Sequence, residues 1–330
     1  MMPSRMPGLR ARAARRTARL QLGPLKDQLI APKTQMRYSL ALSRFFHFLR
    51  QHSMPMPRTA VRLDSALSKF IDNLWESGDP LGYAQDAISG VQHHVPRLRR
   101  QLQGSWRLIA AWRKAEIPAR ADPFLPSFAI AAAAYPEFSV SEALAILLSY
   151  HCMLRTGEML DLQWKHIQAG TKVGLVSLQS TKSGNRYNFA ESVPVSDPML
   201  LSTIANFKAR ARPDSFLIAR TEASFRALFR KAVNFARLPR GNWKPYSLRR
   251  GGATQHFREH GSMDATCIRG RWANVRTCRI YVNNANAAAS EMSTSRQQEG
   301  WHSDLRKALV ERLRQTGRVG KRRREVERPL

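Results

Sequence analysis

Between residues 34 and 118 the apolar side chains recur at helical spacing throughout, which confines this stretch to a packed helical bundle. Tyr38, Leu42, Phe45 and Leu49 share one face, and Leu67, Phe70, Ile71 and Leu74 share another. The turn Gly78-Asp79-Pro80 ends the second of these helices. Tyr83 to Val95, stopped by Pro96, predicts a third, and Trp106 to Lys114 a fourth that starts after Gly104 breaks the chain. A small bundle of four helices over residues 28–118 is therefore expected, preceded by a basic flexible arm at 1–27.

The pattern then changes. Residues 119–138, rich in Pro and Ala, read as a linker leading into a short helix, and Ser139-Val140-Ser141-Glu142 has the form of a capping box that opens a second domain. Leu144, Leu147 and Leu148 mark its opening helix, and Thr156 is placed to cap the next. Val173 to Leu178 and Phe189 to Val195 read as strands around the turn Lys182-Ser183-Gly184-Asn185, a β-hairpin. Helical patterns follow at about 198–209, 222–236, 247–259, 263–269 and 275–290, with no internal repeat. The expected fold is mainly α with a small β-sheet, in two domains, the second covering 119–295 and trailed by a basic tail at 296–330.

With 330 residues, 43% of them apolar, the chain can supply two cores. Its 54 Lys and Arg against 24 Asp and Glu leave a formal charge of +30, which self-repels unless a polyanion meets it. Nucleic acid is the polyanion this balance indicates. The three cysteines, Cys152, Cys267 and Cys278, show neither metal-binding spacing nor the even count of a disulfide framework. The longest apolar runs, Phe128 to Tyr135 and Ala143 to Tyr150, fall short of the about 20 residues that cross a bilayer. Arg5, Arg10, Arg12, Arg15, Arg16 and Arg19 crowd the N-terminus and Lys321 to Arg324 the C-terminus, so neither arm is expected to hold a packed core. The second run reads as a nuclear import signal, with a cytoplasmic location expected instead if the source is prokaryotic, or as a DNA-tracking tail; the first also has the composition of a transit peptide.

Four separated segments carry candidate chemistry. They are Met153 to Trp164 with the core Leu154-Arg155-Thr156-Gly157-Glu158, then Thr181-Lys182-Ser183-Gly184, Tyr246-Ser247-Leu248-Arg249-Arg250-Gly251-Gly252-Ala253-Thr254, and Gly270-Arg271-Trp272 followed by Thr277 and Ile280-Tyr281. Taken singly, each has a plainer reading: an i,i+3 surface pair at Arg155 and Glu158, a solvated hairpin lysine, a charged helix start, core aromatics. Together, in this order and spacing, they resemble the tyrosine recombinase or phage-type integrase family, with its L-R-x-G-E-L-L-x-L-x-W, T-K-x-G and H-x-L-R-H-x-x-A-T signatures and its terminal tyrosine box. Trp272 is similar to the variant found in Cre-like members, and Tyr246 stands where histidine is usual. The resemblance covers about residues 30 to 295, and the first half is similar to the family's helical, SAM-like core-binding domain.

The resemblance implies a site-specific DNA recombinase or integrase, a mobile-element-derived eukaryotic member, whose mixed α/β domain breaks and rejoins DNA through a covalent 3′-phosphotyrosyl intermediate. It implies Tyr281 as nucleophile, Arg155 and Arg249 as a phosphate clamp, Lys182 as the acid for the leaving oxygen, Trp272 and Tyr246 as further hydrogen-bonding groups, and Glu158 as an orienting carboxylate. Arg250, Arg271 and Arg276 are expected on DNA. Double-stranded DNA and identical subunits are the implied partners, with the segment after Tyr281 docking in trans; no metal, cofactor or membrane is implied. The physics suits the set. Charge grows on a phosphodiester in the transition state, so donors fixed beforehand give the largest gain, and a planar guanidinium bridges two oxygens where an ammonium cannot. A phenol has an unperturbed pKa of about 10, which makes Tyr246 a poorer base than imidazole. The competing readings are a catalytically silent DNA-binding protein, a type IB topoisomerase and, more remotely, an RNA-binding protein.

Overall fold

The structure is a computed structural model that describes residues 7–178 and 191–326. The chain divides into two compact units, Met1–Pro118 and Ala119–Leu330. Among the described residues no helix is long and apolar enough to cross a membrane.

In the first unit, α1 (Pro7–Leu22) stands on no core: its described side chains are exposed, Leu20 included. The arm expected to be flexible is thus helical over Pro7–Leu22, with its described side chains, residues 11–21, all exposed. The bundle is formed by α2 (Pro32–Gln51), α3 (Ala60–Glu76), α4 (Leu81–His94) and α5 (Gln103–Ala115). Leu67, Phe70, Ile71 and Leu74 are all buried, as the spacing predicts, and Phe45 and Phe48 lie 5.5 and 5.4 Å from the Phe70 ring. Gly104 does not break the chain before α5 but lies inside its first turn. The reason is Asp64, whose carboxylate accepts the Gly104 and Ser105 N–H groups at 2.8 and 2.9 Å and so caps the helix from α3.

In the second unit, the stretch read as a linker is core. Phe124, Leu125 and Phe128 are buried, and Trp243 meets Phe124 and Phe128 at 5.4 and 5.6 Å. Burial of large aromatics outweighs the loop-like composition here. The apolar runs form α6 (Pro126–Ala133) and α7 (Val140–His151), and residues 143–149 of α7 are wholly buried. The capping box is present: Ser139 Oγ accepts from Glu142 N at 3.2 Å, and Glu142 Oε2 accepts from Ser139 N at 2.8 Å. After the short α8 (Thr156–Leu160) comes an antiparallel sheet of order β1-β2-β3, comprising β1 (Ile167–Ala169), β2 (Gly174–Leu178) and β3 (Glu191–Val195). The predicted strand pair is β2 and β3, in register from Gly174 with Val195 to Leu178 with Glu191; β1 was not anticipated.

Helices α9 (Pro198–Lys208), α10 (Glu222–Phe235), α11 (Tyr246–His260) and α12 (Met263–Arg269) follow the periodicity. The single helix expected over 275–290 is instead two, α13 (Val275–Arg279) and α14 (Asn284–Ser293). Asn side chains compete with the helical ladder here: Asn274 accepts from Thr277 N at 2.8 Å and Asn283 from Asn286 N at 3.0 Å, each starting a new helix. The last segment, expected as a tail, is α15 (Arg296–Val326). It packs on its own unit. Leu305, Leu309 and Leu313 recur every four residues, are buried in the core, and give the helix an apolar stripe that its basic composition hides.

Candidate active site

The site grows from the C-terminal end of α7. Met153 has a left-handed backbone (φ 50), which turns the chain so that Arg155 becomes the residue preceding α8. Thr156 was expected to cap that helix. Instead Glu158 reaches back, accepting the Arg155 backbone N–H at 2.8 Å and pairing with the Arg155 guanidinium. The same carboxylate takes Arg271 Nη2 at 2.7 Å and lies 4.0 Å from Arg249 Nη1. Burial opposes its ionisation, but Arg271, the Arg155 N–H and the charges of Arg155 and Arg249 outweigh burial and hold its pKa below the usual glutamate value.

Arg249 lies in α11 and is fully buried, at 0% exposure. Its helix can come so close to the segment before α6 and to α7 because of Gly251 and Gly252: a Cβ on the first would collide with the Phe124 carbonyl, and one on the second with the Tyr150 carbonyl of α7. Arg249 donates to the carbonyls of Met153 and, at 2.7 Å, of Gly270. Its guanidinium lies 4.5 Å from the centroid of the Trp272 ring and 5.3 Å from that of Tyr281. Burial, then the Arg155 and Arg271 charges, pull its pKa down to about 10, which leaves it charged at neutral pH.

Tyr281 sits in the break between α13 and α14, half-buried and flanked by Trp272 at 4.6 Å and Tyr246 at 5.7 Å between ring centroids. Burial of the phenol opposes ionisation. The Tyr246 hydroxyl, the Arg249 charge, the Trp272 indole and the Arg155 charge favour the phenolate, and together they hold Tyr281 below the ordinary tyrosine value. Tyr246 moves the other way. Burial and its neighbour Tyr281 push its pKa up, which favours the protonated phenol. A residue placed this way is a hydrogen-bond donor and not a base.

Arg155, Glu158, Tyr246, Arg249, Trp272 and Tyr281 thus converge, whereas Lys182 lies outside the described residues. Two of the three arginines expected on DNA face inward. Arg250 is buried and donates to the Ile280 carbonyl at 2.6 Å; Arg271 is held between Glu158 and Glu191. Only Arg276, on α13, is exposed. The physical reason is packing: α11 and the turn before Trp272 point these guanidiniums at buried carboxylates and carbonyls, where a charge must be paired. Glu191 went unnoticed in the sequence, because nothing around the first residue of a strand announces a buried carboxylate. Around the site the Nε of Arg249 and the indole N–H of Trp272 are buried without a hydrogen-bond acceptor. Unpaired buried donors are costly, and an incoming anion would relieve them.

Residues 129–288 match the family model described as phage integrase family. Comparison of the sequence with curated proteins gives no match. The fold is similar to the XerH site-specific recombinase bound to a palindromic difH substrate, with a TM-score of 0.53, 15% identity, and 78% of each chain covered. It is also similar to a lambda integrase dimer bound to a COC′ core site, with a TM-score of 0.55, 14% identity, and 79% of this chain and 74% of that one covered. A third likeness is to the Tn1549 transposon integrase in complex with circular intermediate DNA, with a TM-score of 0.55, 16% identity, and coverage of 80% and 94%. At such identities the structural likeness is one of fold, while the family match runs through Arg155, Arg249, Trp272 and Tyr281. Residues 129–288 are thereby similar to the phage integrase family, and the fold is similar to that of the recombinase and integrases above.

Proposed function

We propose that this protein cleaves and rejoins duplex DNA, with Tyr281 as the nucleophile. The observation that carries the proposal is the gathering of two guanidiniums, an indole N–H and a second phenol around one tyrosine whose pKa they lower. In the reaction, ionised Tyr281 attacks phosphorus in line; a phosphorus–phenolic oxygen bond forms and the bond to the 5′ oxygen breaks. Arg155 and Arg249 neutralise the non-bridging oxygens, and the Trp272 N–H supplies a further donor. Lys182 is assigned the proton that the departing 5′ oxygen takes up. Tyr246 donates to the phenolate and so replaces general-base activation with stabilisation of the ionised form. The 5′ hydroxyl of a second strand reverses the step and releases Tyr281, with no net change in phosphodiester bonds. Recombination of two duplexes then needs several copies of this chain on DNA.

A duplex nicked beside the scissile phosphate loses the short leaving fragment and traps the covalent intermediate. The native chain is expected to give a protein–DNA adduct, stable to denaturant, that Tyr281→Phe does not give. Absence of adduct from the native chain across a library of duplexes would overturn the proposal and leave a silent DNA-binding protein.

A further inference from the structure

Arg271 has no part in the chemistry just described, yet it is buried and held in a left-handed turn of the site. Its backbone is left-handed (φ 58), a conformation that glycine adopts freely and a side chain resists. An arginine kept there is kept for its side chain. That side chain is 7% exposed, donates to Glu158 at 2.7 Å and to the Cys152 and Met153 carbonyls at 3.1 and 3.4 Å, and stands at ion-pair distance, 3.4 Å without a hydrogen bond, from Glu191. Glu191 is equally buried and begins β3, so Arg271 joins the sheet to the end of α7 and the start of α8. A guanidinium so enclosed has no face for DNA.

The neighbours of Arg271 show what this enclosure controls. On one side of it the Gly270 carbonyl accepts from Arg249 at 2.7 Å, and on the other the Trp272 ring lies over the same guanidinium at 4.5 Å. Both grips on Arg249 require the backbone between them to turn left-handed. The Met153 carbonyl, from the other left-handed residue of the site, accepts from Arg249 and Arg271 alike. We infer that Arg271, clamped between Glu158 and Glu191, is a positioning residue that locks these two left-handed turns together and so sets where Arg249 and Trp272 stand against Tyr281. Lysine cannot replace it, since one ammonium does not reach both carboxylates and the carbonyls in a planar fork.

The inference rests on Tyr281 being the nucleophile, so its test has one arm that reads cleavage and one that does not. On the nicked duplex, at saturating protein, Arg271→Gly and Glu191→Gln are expected to slow adduct formation at least about tenfold, since small misplacements of a reacting group cost that much. Duplex affinity and its salt dependence should stay as in the native chain, and Arg271→Lys should fall between. In the free protein carrying ¹³C at the tyrosine Cζ, the Tyr281 signal, assigned by its loss in Tyr281→Phe, should titrate at higher pH in both variants. Glu191→Gln keeps the shape of the side chain and carries the test if thermal melting shows Arg271→Gly to be unfolded. An unchanged adduct rate together with an unmoved Tyr281 titration would overturn the inference. So would weakened duplex binding with the salt slope lowered by about one and a normal rate at saturation, the signature of a phosphate contact. Should the native chain form no adduct, the nucleophile reading fails by itself and the titration alone decides whether Arg271 positions the phenol's surroundings.

Discussion

Arg37 and Arg271 carry the same fork of donors and each finds carboxylate, but in different media. Arg37, on α2, is 57% exposed and holds Asp86 through Nε at 2.9 Å and Nη2 at 2.5 Å. Arg271 meets Glu158 and Glu191 where no water competes. At the surface such a pair is screened and interchangeable, whereas in the interior each partner leaves an uncompensated charge when the other is removed. The formal charge of +30 therefore sums two populations. One sets the field that draws in a polyanion, and the other holds a site together.

The sharpest separation should come from the arginine that belongs to the second population and touches the reaction. Arg249→Ala is expected to lower the single-turnover cleavage rate by about 10²- to 10³-fold with the duplex still bound, measured on the nicked substrate. A fall of less than tenfold would make Arg249 one more field charge.

Glu158→Gln tests the interior pair itself. Breaking it should cost about 3–5 kcal/mol of stability in denaturant titrations. Because the carboxyl is held below its unfolded value, this stabilisation is present above pH about 4.3 and is lost as pH falls through the lower folded value, so native and variant curves should converge in acid.

A smaller shift should appear in the pH profile of cleavage. On the proposed mechanism the phenolate is the reactive form, so the rate should climb with pH through the depressed midpoint of Tyr281 and then level. Tyr246→Phe removes the neighbouring hydroxyl that favours the phenolate and should move that midpoint upward; an unchanged midpoint would mean the two phenols act independently.

Asp86→Asn, the surface counterpart, should cost only about 0.2–1 kcal/mol and lose even that in high salt. A larger loss would erase the distinction between the two populations.

Much of this site can be read from the chain. The residues around Arg155, Arg249, Trp272 and Tyr281 carry spacing that local structure then obeys, and the Ser139 capping box and the β2–β3 pairing are short-range signals of the same kind. The direction in which a side chain points is another matter. Arg250 and Arg276 look alike in sequence, and only the packing of α11 and α13 sends one to the Ile280 carbonyl and leaves the other in solvent. Glu191 becomes a partner of Arg271 because tertiary structure brings a strand start against a turn far along the chain. The docking of α15 was masked by composition, since its basic residues outnumber Leu305, Leu309 and Leu313, which decide where it lies. The break that frees Tyr281 from a helix ends at Asn283, whose capping of α14 competes with a pattern that otherwise reads as helix.

The backbone around Tyr281 is tied at three points: its own N–H to the Cys278 carbonyl at 2.8 Å, the Ile280 carbonyl to Arg250 at 2.6 Å, and Asn283 N–H to Thr254 at 3.1 Å. Two of these ties run to α11, the helix that carries Arg249, so on the proposed mechanism one chain supplies both the nucleophile and the arginines that grip the strand. Subunits lacking Arg249 mixed with subunits lacking Tyr281 should accordingly fail to pool their intact halves into one working centre.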